Sequence, residues 1–125
     1  MGSPLLLLLA WLIAVTKAKV FSRCKLAHLL QEEGLDGSGG YSLASWLCMA
    51  FYQSTLNTAA HSIKADSSAN YGIFQISSQQ WCTDDHSPSD NRCRVACRDL
   101  LSSSITDDII CAKRIVRNPQ GMDAW

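Results

Sequence analysis

Hydrophobic positions in this chain follow three different rhythms, and each rhythm predicts a different element. From Leu5 to Val15 every residue is apolar. In "SRCKLAHLLQEE", residues 22 to 33, the spacing instead puts Cys24, Ala27 and Leu30 on one helical stripe, with Ser22 placed to cap the start and Gly34 to end it. A second helical pattern opens at Ser42 and repeats Leu43, Trp46, Leu47, Ala50 and Phe51 at core spacing. Gln53 falls on the border of that stripe, in the last turn, so it is expected to look out of the core into a cleft.

Between these helices and the third, the period shortens. "NYGIFQIS" alternates Tyr71, Ile73 and Gln75 against Gly72, Phe74 and Ile76, which predicts a strand, and "ADSS" at 65 to 68 predicts the hairpin turn before it. The polar stretch from Gln79 to Asn91, held by Cys82 and Cys93, reads as a stapled loop. The third helix follows: Ser104-Ile105-Thr106-Asp107 fits a capping box with Asp in place of Glu, acids occupy the first turn, and Lys113, Arg114 and Arg117 fall in the last. Asn118-Pro119 ends it. Helices, a short β segment and a further helix predict an α+β domain of two lobes with a cleft where they meet.

The first rhythm changes the picture of the mature chain. Eleven apolar residues are too few to span a bilayer comfortably, and Thr16 and Ala18 suit a peptidase site, so residues 1–18 are expected to be a secretion signal and 19–125 one small domain. The rival reading is an ordinary buried helix. Secretion in turn gives the cysteines a meaning: Cys24, Cys48, Cys82, Cys93, Cys97 and Cys111 all lie after the leader, and an even count in a small secreted chain predicts disulfides, with several pairings open. His28, His61 and His86 are scattered and there is no paired C-x-x-C, which disfavours zinc. The formal net charge is zero and no charge run stands out, so neither nucleic acid nor an anionic membrane is favoured as partner, and no span is expected after leader removal.

Five segments, "KVFSRCKLAHLL", "YSLASWLCMA", "NYGIFQIS", Trp81-Cys82 and "CAKRIVRNPQGMDAW", together resemble the C-type lysozyme and α-lactalbumin family in order and spacing, from Lys19 to the last residue. The resemblance implies a secreted fold with a helical lobe, a small antiparallel β lobe and a saccharide groove between them. In catalytic members, retaining glycoside hydrolases, one carboxylic acid at the end of the second helix protonates the leaving oxygen and one carboxylate on the β hairpin stabilises or attacks the sugar cation. Lysozyme is itself the standard worked case of such a pair. Here the two positions fall on Gln53 and Asn70, and no Glu follows Glu33. An amide can hold a ligand but cannot deliver a proton at neutral pH. Asp66 is the nearest replacement carboxylate. Gln75, Trp81, Ala124 and Trp125 match the family's groove, and Trp81 offers an apolar face to a sugar ring. Gln80, where relatives often carry an aromatic, and Ser77, where an Asn is usual, depart from it.

The resemblance also implies a disulfide pairing, Cys82 with Cys97 and Cys93 with Cys111. Family members continue past the position of Trp125 with another helical segment and two more cysteines, so a missing C-terminal segment is expected, as in a truncated isoform, with Cys24 and Cys48 unpaired and available for cross-linking. "DLLSSSITDDII" resembles the family's calcium elbow, with Asp107 and Asp108 as ligands, but Ser102 stands where a third carboxylate belongs. Calcium takes about six to eight oxygens, several of them anionic, so no cofactor is expected. The leading expectation is a secreted, non-hydrolytic lysozyme-like protein that binds an oligosaccharide, glycoprotein or other protein partner through the cleft. Its rivals are a weak muramidase and an α-lactalbumin-like modifier of a glycosyltransferase. Some lysozyme-like paralogues without the acids are associated with sperm and gamete recognition, a setting available here only by analogy.

Overall fold

The first helix, α1 (Arg23–Glu32), begins where Ser22 Oγ accepts the Lys25 N–H at 3.2 Å. It ends in a Schellman closure: Gly34, at φ 78°, donates to the Gln31 carbonyl at 3.1 Å, and Leu35 donates to Leu30 at 2.9 Å. These and the following elements belong to a computed structural model that describes residues 18–125, so all of the expected leader except Ala18 lies outside the described residues. The stripe α1 buries is Leu26 and Leu30, with Cys24 exposed and Ala27 half-buried. The predicted stripe was thus rotated, because the larger leucine side chains, four residues apart, bring more apolar area to the core than Cys24 and Ala27 do.

After a 3-10 turn at Ser38–Gly40, α2 (Leu43–Ser54) starts at Ser42, whose Oγ accepts the Ser45 N–H at 3.2 Å. Trp46, Met49, Ala50 and Ser54 are its buried residues. Leu47 is only partly buried and Phe51 is 42% exposed, so the expected core stripe is narrower than the sequence implied. One helical step separates the two rows, and the outer row faces α1, where the Arg23 guanidinium lies 4.9 Å over the Phe51 ring.

Three short strands form one antiparallel sheet: β1 (His61–Ile63), β2 (Ala69–Tyr71) and β3 (Ile76–Ser77), paired in that order. The turn expected at 65 to 68 joins β1 to β2, fixed by Asp66 Oδ1 accepting from the Ser68 N–H and hydroxyl. The single strand expected over "NYGIFQIS" is not present. The chain leaves β2 at Gly72 (φ 82°), turns, and re-enters the sheet after Gln75 (φ 50°). Successive residues Ile73 and Phe74 are both fully buried, which a strand with opposite-facing neighbours cannot do against a one-sided core.

The last helix, α3 (Thr106–Val116), is capped by Ile105 without any side-chain bond, so the predicted capping box does not form. The helix begins later than a box at Ser104 requires, and the Ser104 hydroxyl lies against the Thr106 hydroxyl instead. Its acids sit in the first turn as expected. Lys113 and Arg114 in the last turn reach across: Lys113 Nζ donates to the Glu33 carbonyl, and Arg114 donates to the Arg92 carbonyl at 2.8 Å. Cys82 pairs with Cys97 and Cys93 with Cys111, tying the loop after β3 to α3 and to the 3-10 turn at Cys97–Leu101. Among the described residues Cys24 and Cys48 have no disulfide partner, and both are exposed. The core centres on fully buried Trp46, which meets Phe74 and Trp125 edge-on at 6.1 and 5.9 Å between ring centres. Among the described residues no helix is long and apolar enough to cross a membrane.

Candidate functional site

A cleft of about 200 Å³ opens between the end of α2, the sheet, α3 and the final 3-10 turn at Gly121–Ala124. Gln53, Asn70, Gln75, Trp81, Ala124 and Trp125, all singled out from the sequence, line it. One hydroxyl fixes the geometry. Ser54 Oγ lies 3.0 Å from the Ala50 carbonyl and 2.7 Å from the Ile73 carbonyl, which pins the last turn of α2 to the turn between β2 and β3. Gln53, the residue before it, is thereby held half-buried at the cleft wall. Ser54 was missed in the sequence because a serine at a helix end reads as solvated.

Asn70 sits in the middle of β2, opposite Ser62 on one side and Ser77 on the other. Its Oδ1 is buried and accepts no hydrogen bond from the protein. An unmet buried acceptor costs about 1–3 kcal/mol, and no donor of the protein offsets that cost here. Gln75 is different. Its Nε2 donates to the Ala60 and Gly72 carbonyls, both at 3.0 Å, and its Oε1 accepts from Ser62 at 2.7 Å. That amide is committed to holding its own positive-φ turn, which leaves it little capacity for a ligand.

Trp81 lines the wall but is only 3% exposed, and the Arg92 guanidinium lies 5.2 Å over its ring. The free apolar face expected for it is largely covered. Trp125 serves both core and cleft through its contact with Trp46. Ser77 and Gln80, the two departures noted in the sequence, also line the cleft. So do Lys64, Gln79 and Ile115, which sequence reasoning passed over. Lys64 was recognisable in principle, since it directly precedes the "ADSS" turn.

No Asp or Glu is among the lining residues, and Lys64 is the one charged side chain there. Asp66 is nearby but fully exposed. Hydrogen bonds from the Ser68 hydroxyl and N–H, then the Lys64 charge and the Gln79 amide, hold its carboxyl below the usual range. A general acid must keep its proton near neutral pH, and Asp66 is tuned the other way.

At the calcium-like elbow, Asp108 is completely buried with neither oxygen hydrogen-bonded, whereas Asp107 and Ser102 are exposed. Burial raises the Asp108 pKa to about 8, and the Asp107 charge adds to the shift. Among the described residues no three acidic, histidine or cysteine groups converge as metal ligands. Ser102 directs its hydroxyl to the Ser104 carbonyl at 2.8 Å. These residues do not fit a calcium site, which needs several anionic oxygens around one centre.

A helical lobe, a small antiparallel sheet, cross-tying disulfides and a polar cleft at the junction define a class of small two-lobed α+β proteins. Residues 19–125 match the model of the C-type lysozyme/alpha-lactalbumin family, and the chain belongs to that family. It is 54% identical over 108 residues to lysozyme C of Equus asinus, covering 86% of this chain and 84% of that one. It is 45% identical over 124 residues to lysozyme-like protein 2 of Homo sapiens, covering 99% and 84%. It is 51% identical over 118 residues to sperm acrosome membrane-associated protein 3 of Mus musculus, covering 94% of this chain and 53% of that one. The crystal structure of Equus asinus lysozyme superposes with a TM-score of 0.83 at 53% identity, covering 86% of this chain and 84% of that chain. Apo canine milk lysozyme gives 0.84 at 48%, with the same coverage.

Proposed function

We propose that this chain is a secreted, non-hydrolytic lysozyme-like protein whose cleft binds a saccharide, free or carried on a glycoprotein. The observation that carries the reading is a cleft lined by Gln53 and Asn70 and by no Asp or Glu side chain. Glycoside hydrolysis needs a proton donor on one side of the scissile bond and a carboxylate on the other. Two carboxamides can hydrogen-bond to sugar hydroxyls and acetamido groups but supply neither function. The relatives named as lysozymes support a sugar. Secretion is supported by the apolar leader pattern and by disulfides, which form in oxidising compartments. Hydrolysis assisted by Asp66 is disfavoured by that group's exposure and lowered pKa.

Chitooligosaccharide binding and turbidity of bacterial walls should be measured together. The expected result is saturable binding that Asn70→Ala weakens, with no wall lysis by the natural chain. The double change Gln53→Glu with Asn70→Asp should raise lysis by about 10²-fold or more over the protein-free background, since a positioned acid contributes that order and the pair acts as a unit. Lysis by the natural chain that disappears in Asp66→Asn would establish the muramidase reading instead. A correctly folded chain that binds no glycan would end the saccharide reading.

A further inference from the structure

Lys64 stands out in the cleft because every other side chain lining it is neutral. It directly follows β1 in the hairpin turn, where its N–H donates to the Ser68 carbonyl at 2.8 Å and its carbonyl accepts from the Ser67 N–H at 3.1 Å. The backbone that bears the ammonium is therefore fixed. Among the described residues the one ion pair joins His28 to Glu32, so the Lys64 ammonium has no carboxylate partner. Asp66, two residues on, feels the Lys64 charge but is committed elsewhere: Oδ1 accepts from the Ser68 N–H and hydroxyl, and Oδ2 accepts from the Gln79 amide.

We infer, on the saccharide reading above, that the cleft prefers an anionic saccharide, whose carboxylate or sulfate meets the Lys64 ammonium while its neutral hydroxyls meet the lining amides. The exchange that removes hydrolysis also removes a barrier to such a ligand. A working glycosidase pair keeps an ionised carboxylate beside the bound sugar, and that charge repels an acidic ring. Gln53 and Asn70 present neutral carboxamides instead.

The formal net charge of the chain is zero, so no field of the whole molecule draws anions in, and any preference has to come from a local cation. Lys64 is that cation. Arg92, not itself a lining residue, holds its guanidinium 5.2 Å over the ring of Trp81, which is one, and so adds positive charge behind the same cleft. Because Lys64 is exposed, the ligand's anionic group reaches it without being stripped of water. Such a contact selects between ligands more than it anchors them.

Calorimetric titration of the full chain should compare chitotetraose with the same tetrasaccharide oxidised to carboxylates at its primary hydroxyls, and with the form sulfated at those hydroxyls. At low ionic strength at least one acidic form should bind about threefold or more tightly than the neutral one, and the ratio should shrink as salt is added. The acidic form with the larger ratio identifies carboxylate or sulfate as the group recognised. Lys64→Gln should bring the ratio close to one, and Lys64→Arg should keep it. Lys25→Gln, which deletes a charge on α1 outside the cleft, should leave the ratio as it is in the natural chain. Each ratio is taken within one variant, so a partly folded preparation does not alter it. Equal affinities for all three ligands would overturn the preference and leave the saccharide reading standing. A preference that survives Lys64→Gln, or that Lys25→Gln also removes, would overturn the assignment to Lys64. Binding of none of the three would end both readings.

Discussion

Asp108 is the residue whose surroundings conflict most with its chemistry. In the unfolded chain its carboxyl ionises near 3.8, whereas burial keeps it protonated in the fold up to about 8. Between those values the native state holds a proton that the unfolded state has released. Stability therefore falls as pH rises through that window, and levels off once the folded carboxyl has also ionised. Asp108→Asn removes the group that titrates, so its thermal midpoint should decline less steeply between pH 4 and pH 8 than that of the natural chain. Melting curves at several pH values, with a chelator present, check this, and parallel slopes would refute it. At the same scale Gln53 and Asn70 were singled out by their positions in the family pattern. The unmet oxygen of Asn70 and the fully engaged amide of Gln75 were not, since both depend on which backbone carbonyls and hydroxyls converge on them after folding.

Among the elements, the starts of α1 and α2 and the end of α1 were legible because each is set by a side chain or glycine within a few residues. The break between β2 and β3 was hidden for the opposite reason. It depends on the close approach of Gly72 to a distant part of the chain. A Cβ there would lie 2.2 Å from the Leu100 carbonyl oxygen and 2.4 Å from Asp108 Oδ2, at a φ of 82° that side chains resist. Gly72→Ala should cost about 2–4 kcal/mol through clash and strain together, seen as a lower urea midpoint with an unchanged slope. A loss below about 0.5 kcal/mol would mean the turn relaxes freely. Because Ser54 grips Ile73, the residue after Gly72, this change should also loosen Gln53 at the cleft wall.

Across the whole molecule, the two disulfides tie the polar loop after β3 to the helical core. The Cys93–Cys111 bridge spans 18 residues and anchors that loop to α3. Replacing both cysteines by serine should lower stability by about 2–5 kcal/mol and expose the loop to proteolysis while α2 stays formed. Thermal melts and limited digestion would show it, and an unchanged midpoint would assign the anchoring to Arg114, which reaches the Arg92 carbonyl beside the same loop. Order and spacing of segments along the chain were enough to imply the pairing, since a family fold constrains which cysteines approach.

By itself, then, the sequence determined what depends on neighbours along the chain: the starts of α1 and α2, the end of α1, the hairpin turn and the family pattern. Folding decided what depends on distant groups meeting. Trp81 became wall under Arg92, Phe51 stayed outside, Asp108 was stripped of water without partners, and Lys64 came to the cleft edge. The physical reason is one of range. Capping and turn preferences act over three or four residues, whereas burial and hydrogen-bond satisfaction are fixed only when segments tens of residues apart pack against each other.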